Sequence, residues 1–352
     1  MIAELSSHRD PIVRALREID LDLGPQLAEV NRWGDDLRAR MLEFAGRGKL
    51  IRGALVAASA AAFGRPADRA VYTVAAAIEL VQSFLLIHDD IMDEDALRRG
   101  APALFEQYRR HAVEHGFRDE RRFGESMAIC AADVAILVVF AAIGSIDVEE
   151  SVRVRLMSLL AREIAKVGVA QMADVANGHS PTPATEEEIL AVYRFKTGRY
   201  TFSLPLMLGA ILAGASSSTV DALCRWGELQ GVVFQIRDDQ LGIVGESDEI
   251  GKPAGSDIAA DKQTLHRLVL CKVTAGTEWE DVCTFFGRDD LSPEEVRRVA
   301  RALEATGARA LLDRRISQLR SQAAREIASV ELGDGARRLF DAIDAFNATR
   351  VV

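Results

Sequence analysis

Apolar residues recur at helical spacing along most of the chain, most regularly through 70–87, 189–212, 226–236 and 296–312. No run alternates apolar and polar residues as a half-buried strand would. No Asn-Gly or Asp-Gly hairpin signal lies between such runs. Helix starts are marked as well. Thr185 with Glu188 and Ser292 with Glu295 read as capping boxes, the second with Pro293 at the first helical position, and Ser218 with Asp221 is a weaker case. Loops are expected at 64–68, 177–184, 213–218 and 245–261, and the polar stretch 109–124 reads as a longer connection. With no internal repeat and no clear linker, the pattern predicts an all-α chain forming one domain over 1–352.

One segment, 127–146, is as long as a membrane span but carries Asp133. A charge at mid-span costs at least ~2.5 kcal/mol in lipid, and no basic flank marks an orientation. The segment therefore reads as a buried core helix, and no transmembrane segment is expected. Composition agrees: 49% of the 352 residues are hydrophobic and only 6% aromatic, which favours helix over sheet. The net charge of -10 argues against a general nucleic-acid binder. The first residues lack the apolar stretch of a signal peptide, and Cys130, Cys224, Cys271 and Cys283 form no C-x-x-C pair. Reduced thiols in a cytoplasmic protein are the expectation.

Carboxylates gather at two places. Residues 85–100 read LLIHDDIMDEDALRRG, and on a helix Asp89 and Asp93 lie one turn apart on one face. Two like charges at that spacing destabilise a bare helix, so the cluster wants a cation. Oxygen donors without a nearby thiol suit a hard ion, Mg²⁺ before Ca²⁺ or Zn²⁺. Residues 234–246, FQIRDDQLGIVGE, end a second apolar helix in Asp238 and Asp239. If the two helices lie side by side, their carboxylates would hold several Mg²⁺ ions able to clamp a diphosphate.

Basic residues complete the constellation: Lys49 and Arg52 in GKLIR, Arg98 with Arg99, Lys196 beside Thr197, and Lys252 and Lys262 in GKPAGSDIAADK. Taken singly, each reads as a surface charge. Together with the acidic pairs they describe a split site. Mg²⁺ would bridge one diphosphate to the carboxylates, while Lys49, Arg52 and Arg99 would hold a second one directly, a task suited to the guanidinium fork.

These motifs, in this order from Gly48 to Thr264, resemble those of the trans-isoprenyl diphosphate synthases, the polyprenyl synthetase family. GKLIR resembles the family's G-K-x-x-R element, HDDIMDEDALRRG its first aspartate-rich motif, and Gln171 and Asp174 its G-Q-x-x-D element. FKTGRYTFSLPL resembles its K-T element, and FQIRDDQLGIVGE with GKPAGSD its second aspartate-rich region. The resemblance implies an all-α bundle around a central cavity, usually a homodimer, with the motif-bearing core at about 40–270. It implies head-to-tail condensation of isopentenyl diphosphate with an allylic prenyl diphosphate, using Mg²⁺, three ions once substrate is bound. Asp89, Asp93 and Asp238 would be metal ligands, with Asp90 and Asp239 in support. Arg98, Lys196, Lys252 and Lys262 would serve the allylic diphosphate. Lys49, Arg52 and Arg99 would bind isopentenyl diphosphate, with Gln82 where many members have histidine. Thr197 and Gln235 would stabilise the carbocation by their dipoles.

The chain departs from the family pattern at Gly242, where the second motif usually has a third Asp, at Gly53, where proline is common, and at Ala132, where glycine is usual. Gly242 is expected to weaken metal binding, and the other two to leave the chemistry alone. Product length in the family follows the bulk before the first motif. Phe84 and Leu85, with two residues inside D-D-x-x-D, resemble the geranylgeranyl-forming type, farnesyl or longer-chain synthesis being the alternative. A class I terpene cyclase and a non-catalytic partner subunit are the competing readings. Lys49, Arg52 and Arg99 argue against the first, and Gly242 alone hints at the second.

Overall fold

In the computed structural model, which describes residues 3–244, 255–288 and 290–349, the chain is helical almost throughout. In order come α1 (Ala3–Ser6), α2 (Arg9–Ala28), α3 (Arg32–Gly46), α4 (Ile51–Ala62) and α5 (Arg69–Met92). A short hairpin follows, β1 (Leu97–Arg98) and β2 (Ala101–Pro102), then α6 (Leu104–Glu114), α7 (Glu120–Gly144), α8 (Glu150–His179) and α9 (Glu186–Val192). A π-helix, Tyr193–Ser203, leads into α10 (Leu204–Leu212) and α11 (Ser217–Val244). The remainder is α12 (Ser256–Ala259), α13 (Leu265–Thr274), a 3₁₀ turn (Glu280–Phe285), α14 (Pro293–Ala305), α15 (Ala308–Ala328) and α16 (Asp334–Thr349). The chain clusters into two compact units, Met1–Ser158 with Leu208–Ala215, and Leu159–Met207 with Ser216–Val352. The division falls inside helices α8 and α10, so no linker marks it in the sequence.

In the first unit α5 is the core element, packed by α2, α4 and α7. It starts where Asp68 accepts the Val71 N–H at 2.9 Å, a conventional N-cap. Its run from Val74 to Ser83 is buried without a break, on all sides of the helix. Several expectations need correction here. The stretch 109–124 is no long connection, because α6 runs to Glu114 and α7 starts at Glu120, capped by Asp119. Its polar residues coat helix surfaces. A hairpin exists despite the absent Asn-Gly signal: Arg99 (φ 55) and Gly100 (φ 73) supply the two left-handed positions of a tight turn.

The segment 127–146 is only half a core helix. Ala128, Ala131, Ala132, Ala135 and Val139 of α7 are buried, but Leu137 is 66% exposed. Among the described helices, α5 and α7 are long and apolar enough to cross a membrane, with 72% and 39% of their most apolar windows buried within the chain. A buried core helix such as α5 passes that test by composition alone.

The second unit is built on α11, which packs against the π-helix on one side and α15 and α16 on another. Both capping boxes are present, at Thr185 with Glu188 and at Ser292 with Glu295. The start of α11 is capped by Ser216, which takes the Thr219 N–H at 3.2 Å, and not by Ser218. Helix α8 continues through Asn177 to His179, and 296–312 breaks at Gly307 (φ 75), a left-handed position. The helices after Val299 back the core of α11. Gln230 Nε2 donates to Asp344 Oδ1 at 2.7 Å, Arg320 pairs with Asp344 at 2.6 Å, and Trp226 stacks edge-on against Phe340. The expectation of four reduced thiols also changes: Cys271 and Cys283 form a disulfide, leaving Cys130 and Cys224 free. The fold-back of the 3₁₀ turn onto α13 brings their Cα atoms to 5.6 Å, inside the range a disulfide spans.

Candidate active site

In the first unit the acidic end of α5 sorts its carboxylates by direction. Asp90 is fully buried, and Arg98 Nε donates to its Oδ1 at 2.6 Å while Arg98 Nη2 reaches Asp95 at 3.2 Å. Burial pushes the Asp90 carboxyl up to about 6, with Arg98 opposing. Asp89 is half-buried and Asp93, the C-cap of α5, is exposed. The Asp93 N–H donates to the Asp89 carbonyl oxygen at 2.8 Å, so the two residues lie one helical turn apart. The neighbouring imidazole is turned inward, His88 Nδ1 lying 3.0 Å from the Phe84 carbonyl oxygen. The hairpin places Arg98 on a strand and Arg99 at the turn.

Arg99 reaches the GKLIR segment. A Cβ on Gly48 would meet Arg99 Nη1 at 2.7 Å, so glycine is what lets this guanidinium lie against the loop. Arg52 and Arg99 lie close enough to feel each other's charge, with Lys49 next to Gly48 in the chain. Beneath them lies Glu79 of α5, 4% exposed, whose Oε1 accepts the Gly53 N–H at 2.7 Å. Gln82, three positions further along α5, is also buried, and its Oε1 has no partner among the described residues. Glu79 is absent from the sequence reading. The signal was there: one acid inside an otherwise apolar helix.

In the second unit the π-helix carries Lys196 and Thr197. Lys196 Nζ lies 2.6 Å from Asp174 Oδ2 on α8, so the G-Q-x-x-D and K-T elements meet. Thr197 Oγ1 donates to Gln235 Oε1 at 2.8 Å, and Gln235 Nε2 donates to Asp239 Oδ1 at 2.7 Å. Tyr193 completes the chain. Its hydroxyl donates to Asp239 and accepts the Leu265 N–H at 3.0 Å. Asp239 is buried, and burial pushes its carboxyl up to about 7, while Lys262, Tyr193 and Gln235 oppose the shift. Tyr193 carried no sequence signal, since an aromatic in a helical stretch reads as core. Lys262 lies 3.5 Å from Asp257, and although desolvation pulls its ammonium down, Asp257, Asp239, Asp238 and Asp174 raise it overall. Lys252 lies outside the described residues.

Two close approaches build this half. A Cβ on Gly231 of α11 would stand 2.0 Å from Gly198 Cα, so the two helices cross backbone to backbone beside Thr197. A Cβ on Gly242 would stand 2.2 Å from Asp257 Oδ2. Where the second motif lacks its third Asp, the Asp257 carboxylate moves into the space. Arg199, also unforeseen, braces the π-helix, reaching Glu163 at 2.6 and 2.7 Å.

The donors fit Mg²⁺. No group of three His, Cys, Asp or Glu side chains converges on one point among the described residues. Mg²⁺ is bound by one or two carboxylates with phosphate and water completing its shell, and the half-buried Asp89 and exposed Asp93 are oxygen donors of that kind. Acid-tipped helices with diphosphate-sized basic groups, on an all-helical frame, define the class of the type I isoprenoid synthase fold.

Residues 37–303 match the family described as polyprenyl synthetase, and the chain belongs to that family. Geranylgeranyl diphosphate synthase of Saccharolobus solfataricus is 32% identical over 261 residues, 73% of this chain and 73% of that protein. Farnesyl diphosphate synthase of Geobacillus stearothermophilus is 38% identical over 229 residues, 63% of this chain and 71% of its own. The crystal structure of geranylgeranyl pyrophosphate synthase from Corynebacterium glutamicum, complexed with isoprenyl diphosphate and magnesium, matches with a TM-score of 0.89 at 28% identity, covering 99% of each chain.

Proposed function

We propose that this trans-prenyltransferase condenses isopentenyl diphosphate head to tail with an allylic diphosphate and releases mainly geranylgeranyl diphosphate. One observation carries the reading. Each aspartate motif, within its own unit, pairs a half-buried first carboxylate, Asp89 or Asp238, with a buried second one, Asp90 or Asp239, held by hydrogen bonds. A solvated acidic helix end has no need of that division. A ligand site does, because a buried, hydrogen-bonded second carboxylate fixes the orientation of the first one beside it.

When Mg²⁺ is bound, Asp89, Asp93 and Asp238 would hold it, with three ions once substrate is present, and its charge would offset that of the departing diphosphate. Arg98, Lys196, Lys252 and Lys262 add charge to the same diphosphate, so the allylic C–O bond ionises. Lys49, Arg52, Arg99 and Gln82 hold isopentenyl diphosphate, whose double bond attacks the carbocation. The Thr197 hydroxyl and the Gln235 carbonyl, already aligned by their mutual bond, offer dipoles to that cation. The proton is lost to the released diphosphate, and apolar walls keep water from the cation. Purified protein with Mg²⁺, dimethylallyl diphosphate and labelled isopentenyl diphosphate tests this. No elongated product would leave the partner-subunit reading in its place.

Phe84 sets the length. It lies one turn before His88, is half-buried, and packs edge-on against the His88 ring at 4.9 Å, so it is not simple core filling. Phe84→Ala is expected to shift the main product to longer chains on chromatography. An unchanged spectrum would remove Phe84 as the floor.

We further place the enzyme in the cytoplasm as a homodimer. The exposed apolar side of α7, with Leu137 at 66%, supports a second copy as its cover. Sedimentation equilibrium should give about twice the 38.4 kDa chain mass, and monomer at micromolar concentration would refute it. Its substrates are membrane-impermeant anions, which supports the location, and cell fractionation tests it.

A further inference from the structure

We propose that Glu79 is the positioning residue of the isopentenyl diphosphate half-site, capping α4 from below and so setting Lys49, Arg52 and Arg99 for their ligand. The inference rests on the function proposed above. It starts from an awkward helix entry. Leu50, the N-cap of α4, sits in the left-handed region at φ 52 and ψ 36, and its side chain caps nothing. A leucine there is strained, and the first N–H groups of any helix need partners from elsewhere.

Glu79 supplies them across the helix pair. Its Oε1 takes the Gly53 N–H at 2.7 Å, and the Arg52 N–H bonds to the same carboxylate. One buried acid thus holds Arg52 and Gly53, the second and third residues of α4 after the strained Leu50, and with them the direction in which Arg52 leaves the backbone. Burial pushes the Glu79 carboxyl up, while the Gly53 N–H and the charges of Arg52 and Arg99 oppose the shift. The trio of charges is net positive, which leaves attraction for a diphosphate.

Gly53 fits this role. It stands where proline is common in the family. Proline has no N–H to give Glu79, and a Cβ at this position would lie 2.6 Å from the Ala75 carbonyl oxygen. In this chain, therefore, Gly53 supplies an N–H that a proline would lack, and Glu79 takes it. Gln82 lies on the same side of α5 as Glu79, and exchanging its amide O and N would turn the unpartnered Oε1 into a donor there.

Glu79→Gln tests the proposal in the full chain with Mg²⁺. The amide keeps one acceptor, loses the charge and presents a donor to one of the two N–H groups. The KM for isopentenyl diphosphate is expected to rise about tenfold or more. The KM for the allylic substrate and kcat should stay within about threefold, since Glu79 is hydrogen-bonded to the start of α4 and to none of the aspartates of either motif. Parallel changes in both KM values, or none, would overturn the proposal, because a merely structural acid loosens the protein without choosing between substrates. Calorimetric binding of isopentenyl diphosphate to wild type and variant keeps the two readings apart. Wild type that binds it but makes no product sinks the proposed reaction alone. Equal binding by wild type and variant sinks the role of Glu79 alone.

Discussion

Asp89→Ala is expected to lower kcat/KM by about three orders of magnitude, and Asp238→Ala by a similar factor. That is about 4 kcal/mol of transition-state stabilisation. The size follows from the role proposed for these side chains and from their partial exposure. Asp90 and Asp239 are committed to Arg98 and to the Tyr193–Gln235 network, and are buried. Asp89 and Asp238 are their half-buried neighbours, accessible to solvent where the committed pair is not. A Mg²⁺ ion bound by one or two carboxylates loses much of its protein anchorage when one goes. Steady-state kinetics across a Mg²⁺ series checks the prediction. An Asp89→Ala enzyme within about tenfold of wild type at every Mg²⁺ concentration would remove Asp89 from the metal set. Restoring the family's third Asp by Gly242→Asp should not improve Mg²⁺ dependence. Its Cβ would displace Asp257, whose Oδ2 occupies that space at 2.2 Å, and it would add a like charge.

The second large effect is on folding. Gly231→Ala should destabilise the protein by more than about 3 kcal/mol, at the upper end of overpacking costs. The new Cβ would stand 2.0 Å from Gly198 Cα, and neither atom belongs to a side chain that can rotate away. The π-helix and α11 would have to separate. Their separation breaks the 2.8 Å bond from Thr197 to Gln235, so the folded fraction should also turn over slowly. Gly178→Ala is the control. It lies in α8 with nothing within 4 Å of its Cβ, and should be neutral or gain up to about 1 kcal/mol of helix propensity. Thermal melts of the two variants decide the matter. Similar melting temperatures would mean that the crossing has slack.

Much of this protein was legible before any coordinates. The capping boxes at Thr185 and Ser292 and the helix leading to Asp89 follow from local chemistry. The expectation failed where two signals competed. The polar stretch 109–124 looked like a loop because surface helix faces and loops share a composition. Segment 296–312 looked continuous because its apolar spacing carries on past Gly307, where the backbone does not. Gly242 was read as a loss and Gly53 as neutral. In the structure each glycine makes room, for the Ala75 carbonyl and for Asp257.

Residue order alone settled the helical class, the two acid-tipped helices and the basic residues that accompany them, because these depend on spacing within a few turns. The tertiary structure alone decided which member of each Asp-Asp pair is buried, that Glu79 underlies the GKLIR loop, that Gly198 and Gly231 touch, and that Cys271 meets Cys283. Those outcomes depend on which distant segments are pressed together. Burial, hydrogen bonding and steric exclusion act between such segments, and a one-dimensional pattern does not carry them.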